Sequence, residues 1–252
     1  MKNLIVIPAR LESTRLPNKV LLDLNGKTVL ERVYDQCMKV SNCRVFIATD
    51  NEKIVNDCER FTKNIILTSK DHESGTDRIA EAVKELDCEV IVNVQGDEPF
   101  IDPKLIAEIF GVFTKDSVDA CSAMEKIKNK MELLDPNVVK VGVNKQKDAL
   151  YFSRSMIPFV RDDIDFLMDS DKIFFENNMF FKHVGIYGYR REFLLKYSSL
   201  DKTPMEKLEK LEQLRILENG YKIRMIESNY ASIGIDSIDD YEQALKMIKN
   251  GI

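Results

Sequence analysis

Leu4-Ile5-Val6-Ile7 is an apolar, β-branched run with nothing polar to show to solvent on either side, and such a run is stable only as a strand covered on both faces. Pro8 removes the next ladder donor, so pairing ends there and a loop begins. Similar runs return at residues 44–50, 64–68 and 89–94. Between them apolar residues recur at helical spacing, as in Val29, Leu30, Val33, Cys37 and Val40. Strands alternating with helices predict βαβ units with right-handed crossovers, hence an α/β fold whose mainly parallel sheet is flanked by helices.

In sheets of this kind ligands bind beyond the carboxyl ends of the strands. The loop after the first strand gathers Arg10, Arg15 and Lys19 against the single acid Glu12, in a chain whose formal net charge is −5. With the hydroxyls of Ser13 and Thr14 and the loop N–H groups, these cations suit a polyphosphate; a solvated basic loop is the plainer alternative. The loop after residues 89–94 is its acidic counterpart. Gly96 permits a tight turn, and Asp97 and Glu98 offer hard oxygen ligands where a magnesium–phosphate complex would sit, or else form a polar turn. Asp236, after Ile233-Gly234-Ile235, reads as the cap of a last helix over residues 238–248 or as a second metal ligand.

Asp50 reads as the N-cap of a helix starting near Glu52. Ser74 or Thr76 can cap a helix over residues 76–86, a start that attracts anions. His72 reads equally as a solvated loop residue or as a ligand, and is assigned no catalytic role. Further strands are expected at residues 120–124, 138–143 and 223–226, and Thr203-Pro204-Met205-Glu206 opens a helix expected to run to Asn219-Gly220. Residues 160–178 read as a polar, exposed excursion.

The negative charge argues against a general nucleic-acid binder. Five cysteines without CxxC spacing indicate neither a disulfide framework nor a zinc site, which fits a reducing cytoplasm. Met1-Lys2-Asn3 leads directly into the first strand, so no signal peptide is expected, and no apolar run suggests membrane insertion.

The segments IPARLESTRLPNK, DHESGTDRIAE, VNVQGDEPFI, ALYFSRSMIP, HVGIYGYR, LEKLEQLRILENG and IGIDSIDDYEQA come in this order almost from one end of the chain to the other. Together they resemble the 3-deoxy-manno-octulosonate cytidylyltransferase (CMP-Kdo synthetase) family. That resemblance implies a Rossmann-like nucleotide core over about residues 1–125 and 215–252, and a smaller sugar-binding and dimerisation region over about 126–214. It also implies magnesium as cofactor, CTP and the acidic sugar Kdo as substrates, and a homodimer. Residue by residue, Arg10, Ser13, Arg15 and Lys19 match the triphosphate loop, and Ser74, Gly75, Thr76, Arg78 and Gln95 the nucleotide side. Asp97 and Asp236 match the magnesium ligands; Arg154, His183, Tyr187, Glu212 and Gln213 match residues assigned to the sugar. Lys19, Arg15, Asp97 and Asp236 would carry catalysis. Alternatives are another acceptor, such as 8-amino-Kdo or a sialic-acid-like sugar, a nucleotide-sugar glycosyltransferase, or a non-catalytic nucleotide sensor.

Overall fold

The computed structural model describes residues 2–12, 16–72, 74–161, 180–228 and 234–250. Two compact units emerge, one of residues 1–116, 186–198 and 231–252, the other of residues 117–185 and 199–230. The division by role expected near residues 125 and 215 is drawn at other points than these. The 160–178 excursion falls almost wholly outside the described residues.

The first unit opens with β1 (Asn3–Ala9), α1 (Val29–Met38), β2 (Cys43–Thr49), α2 (Glu52–Cys58), β3 (Ile65–Leu67), α3 (Gly75–Ala82), β4 (Val90–Asn93) and α4 (Pro103–Lys115). β1 pairs in parallel with β2 on one side and β4 on the other, and β2 pairs with β3, giving the order β3-β2-β1-β4. The winding therefore reverses between β1 and β4. Leu4, Ile5, Val6 and Ile7 are wholly buried, as a central strand with helices on both faces requires.

Thr28, Asn51, Ser74 and Asp102 cap α1 to α4, each accepting a first-turn N–H. Asp50 does not take the capping role expected of it. Asn51 accepts the Lys53 N–H, and Asp50 instead holds the Arg78 guanidinium at 2.6 Å. A guanidinium with 4% of its side chain exposed requires a carboxylate more than a solvated helix end does.

The second unit contains β5 (Ala120–Lys126), α5 (Lys130–Leu134), β6 (Lys140–Val143), β7 (Ala149–Ser153) and the first residues of β8 (Phe181–Arg190). The chain then gives α6 (Arg191–Tyr197) to the first unit, α7 (Pro204–Glu209), α8 (Leu214–Glu218) and β9 (Ile223–Glu227) to the second, and α9 (Ile238–Lys249) to the first. Within the second unit β9 runs parallel to β5, and β6 runs antiparallel to both β7 and the start of β8. Within the first, residues 187–190 run antiparallel to β4, so the sheet is mixed at that side.

The helix expected to run unbroken to Asn219 is two helices. Thr203, Pro204 and Glu206 do open it with a capping box, but Lys210 adopts a left-handed backbone, φ 55°, which ends the i→i−4 ladder. Glu206 and Arg215 explain the break. Their side chains pair at 2.5 and 2.8 Å in the interior, whereas nine residues of straight helix would set them roughly 13 Å apart along its axis. Glu212 and Gln213 consequently lie in the fold-back between α7 and α8.

α4 reaches the sheet through Gly188 on β8. A Cβ there would stand 2.5 Å from Ile109 Cγ2 and 2.7 Å from Phe113 Cε2. Gly188→Ala should therefore lower stability by roughly 1–3 kcal/mol through overpacking, read as a fall in the urea midpoint at unchanged m-value.

Candidate functional site

The carboxyl ends of β1 and β4 flank a cleft of about 710 Å³, at the point where the winding reverses. Pro8, Ala9 and Arg10 line it from the end of β1, and Gln95, Gly96 and Asp97 from beyond β4. A Cβ on Gly96 would stand 3.0 Å from the Pro8 carbonyl oxygen, so only glycine lets the acidic turn lie this close to the first strand.

Lys19 starts a single 3-10 turn (Lys19–Leu21) at the end of the basic loop. Its ammonium donates to Asp97 Oδ2 and, at 2.8 Å, to Asp236 Oδ1. Burial alone would pull the Lys19 pKa down; the Asp97 charge and the hydrogen bonds to Asp236 and Asp97 outweigh it, and the net shift is upward. The side chain is thus a cation shared by two carboxylates. Those carboxylates are held together by backbone as well, since the Ile235 N–H donates to the Asp97 carbonyl at 2.9 Å. Asp236 does not cap α9. Ser237 does, in a capping box with Asp240.

α3 presents its N-terminus to the same cleft. Ser74 is the cap, accepting the Asp77 N–H at 3.1 Å, and Ser74, Gly75 and Arg78 all line the cavity, while Thr76 is wholly buried. The Arg78 guanidinium is already engaged, donating to Asp50 and to Thr68 Oγ1 at 2.6 Å each. Its charge therefore anchors the start of α3 to the ends of β2 and β3. Ser13 and Arg15 lie outside the described residues.

Of the residues matched to a sugar, Tyr187 belongs to the first unit, buried with its ring stacked on Tyr189 at a 9° interplanar angle. Arg154, His183, Glu212 and Gln213 belong to the second. Arg154 is built in by Glu209, whose carbonyl accepts its Nε at 2.8 Å and whose carboxylate accepts its backbone N–H at 2.9 Å. His183 Nε2 lies 2.8 Å from Ser122 Oγ, and its ring meets Phe152 edge-on.

A family model described as cytidylyltransferase matches residues 4–223. The 3-deoxy-manno-octulosonate cytidylyltransferase of Geotalea daltonii is 44% identical over 253 residues, 99% of each chain. Among solved structures, a CMP:2-keto-3-deoxy-manno-octonic acid synthetase complexed with CTP superposes with a TM-score of 0.90 at 36% identity, over 100% of both chains. The chain belongs to the 3-deoxy-manno-octulosonate cytidylyltransferase family. The inositol-1-phosphate CTP transferase of T. maritima, 17% identical with a TM-score of 0.63 over 100% of this chain and 98% of its own, shares the fold.

Three features of this family member escaped the sequence reading. His72 lines the cleft with its Nε2 against Glu81, whose carboxylate also accepts the Ser69 N–H at 3.0 Å. Burial favours the neutral Glu81 carboxyl, but the hydrogen bonds from His72 and Ser69 prevail and hold its pKa below the usual range. Lys140, wholly buried, donates to the carbonyls of Asp135, Val138 and Arg154 at 2.9, 2.6 and 2.5 Å. Its only trace in the sequence is a lone cation among valines. The Asp50–Arg78 pair left none, because a carboxylate ending a strand looks the same whether it caps or pairs.

His183 retains some exposed surface, but its imidazole is enclosed by protein atoms, and burial pushes its pKa down to about 4. In the unfolded chain it titrates near 6.5, so between pH 6.5 and 4 the unfolded state binds the additional proton. Stability should fall as pH drops through that window, by up to roughly 3 kcal/mol from this residue. Urea unfolding at pH 7 and pH 4.5 should show a smaller pH-dependent loss in His183→Gln than in the parent.

Proposed function

We propose that CTP lies in the cleft with its triphosphate against Arg10, Arg15 and Lys19 and its nucleoside side towards Ser74, Gly75, Thr76, Arg78 and Gln95. The protein is a CTP-dependent Kdo cytidylyltransferase, producing CMP-Kdo for lipopolysaccharide. The anomeric hydroxyl of Kdo gives its proton to solvent as its oxygen attacks the α-phosphorus, the bond from that phosphorus to the bridging oxygen breaks, and pyrophosphate departs. The basic loop contains neither Cys nor His, so direct in-line displacement is the simplest chemistry. Supporting this reading above all is the meeting of Lys19, Asp97 and Asp236 at the reversal point of the sheet.

Asp97 and Asp236 fit a divalent cation: their carboxylates already converge on one positive group, and carboxylate oxygens are the donors magnesium takes. These two residues would hold it, with nucleotide phosphates as further ligands. Magnesium, when bound, supplies Lewis-acid polarisation of the phosphoryl and sugar oxygens. Lys19 and Arg15 hold the departing pyrophosphate by charge. Arg154, His183, Tyr187, Glu212 and Gln213 bind the acidic sugar, where Arg offers a planar fork for its carboxylate.

The proposed assembly is a cytoplasmic homodimer. Met131, Leu134, Leu150, Phe159 and Leu208, all in the second unit, are exposed apolar side chains suited to burial in an interface. Cys37, Cys43, Cys58, Cys88 and Cys121 are free thiols, and among the described residues no helix is long and apolar enough to cross a membrane.

Pyrophosphate release with CTP and a panel of acidic sugars tests the reading. Kdo should be the best acceptor and CTP the preferred nucleotide; comparable turnover with UTP or ATP would count against the nucleotide assignment. Lys19→Ala should remain folded yet lose on the order of 100-fold or more in rate. Asp97→Asn and Asp236→Asn should each abolish turnover, and the double variant should be little worse than either, because two ligands of one ion act as a unit. An Asp236→Asn enzyme of ordinary activity would refute that pairing.

A further inference from the structure

We infer that Lys19 is the resident cation of the Asp97–Asp236 seat in the ligand-free protein, and that it leaves only when a nucleoside triphosphate offers its ammonium another anionic partner. This rests on the reading of the two carboxylates as magnesium ligands. It adds that the seat is closed to a divalent cation that arrives alone.

Three observations carry the inference. The Asp97 and Asp236 turns are joined by the backbone hydrogen bond from Ile235 to Asp97, which keeps two like-charged carboxylates near each other. A cation between them offsets their repulsion. Lys19 supplies it here, bonded to both at once. Its side chain also issues from the end of the basic loop and lines the same cleft as Arg10, so phosphates bound to that loop come within reach of the same ammonium. Lysine suits an exchange of partners, with three donors on a flexible four-carbon stem.

The exposure of the cluster agrees. The Lys19, Asp97 and Asp236 side chains are 15%, 24% and 48% exposed, so water can take over part of each partner's role while the exchange proceeds. Metal and nucleotide then favour each other's binding, since one takes the carboxylates as the other takes the ammonium, and such coupling is reciprocal.

The test is a Mn²⁺ titration followed by the EPR signal of the free ion, on the full chain without nucleotide. Lys19→Met removes the charge at similar length and should bind Mn²⁺ on the order of 10-fold more tightly than the parent, the scale of a partly exposed ion pair. Lys19→Arg retains the charge and should bind as weakly as the parent. Circular dichroism establishes that both variants fold. Equal Mn²⁺ affinity in parent and Lys19→Met overturns the inference, as does tight binding by Lys19→Arg. A second arm separates this from failure of the metal reading. With CTP present and no sugar, the relaxation enhancement of protein-bound Mn²⁺–CTP should fall in Asp97→Asn and in Asp236→Asn. An enhancement unchanged in both overturns the metal assignment itself, whatever Lys19 does.

Discussion

Burial of β1 from Leu4 to Ala9 is the constraint on which the site depends. A strand with apolar residues on both faces has to be covered by helices on both sides of the sheet, and the chain achieves this by winding outward through β2 and β3, then returning to lay β4 on the other flank of β1. At that reversal the loops leaving β1 and β4 diverge to opposite faces, and a crevice opens between them. Gly96 brings the acidic turn against the Pro8 carbonyl, so the basic and acidic loops face each other across a short gap. Charge complementarity at the site thus follows from topology. The winding selects which two loops meet, and the residues in them need only carry opposite sign.

Within that crevice the charges are matched locally rather than by the chain as a whole, whose formal net charge is −5. Arg78 shows how. Its guanidinium is spent on Asp50 and Thr68, which fixes the start of α3 and with it the capping geometry of Ser74. Glu81, next to the last residue of that helix, receives both the His72 ring and the Ser69 N–H and ties down the loop that enters the helix. These contacts make the cleft wall rigid without presenting a further fixed charge to a ligand. The helix N-terminus remains, with its own partial positive charge, as the feature offered to the cleft.

Much of this was legible in the sequence because it is written in short-range pattern. Leu4–Ile7 and residues 89–94 have to be buried strands, and loops of opposite charge directly after buried strands point to the ligand side of a parallel sheet. What could not be read were choices decided by distant partners. Asp50 and Asn51 are both good caps, and only the buried guanidinium of Arg78, far along the chain, decides which one caps. Residues 203–219 have helical periodicity throughout, and the fold-back at Lys210 answers to the Glu206–Arg215 pair, which no local propensity encodes. Lys140 was equally silent, since its partners are backbone carbonyls and backbone carbonyls are everywhere.

The internal cations fall into two kinds, and the difference bears on which of them can move. Lys140 has three carbonyls around its ammonium and no exposed surface. Arg215 is paired with Glu206 where both side chains are under one-tenth exposed, and Arg78 with Asp50 at 4% and 18%. Separating such partners leaves a charge in the interior, at a cost of about 3–5 kcal/mol. These groups hold the frame. Lys19 differs in kind. Its carboxylate partners are reachable by solvent, Asp236 being nearly half exposed, so the charges left by separation can be met by water or by a ligand's own ions. A binding site that must exchange one cation for another without collapsing requires an ion pair of this second kind, held at the surface of a frame built from the first.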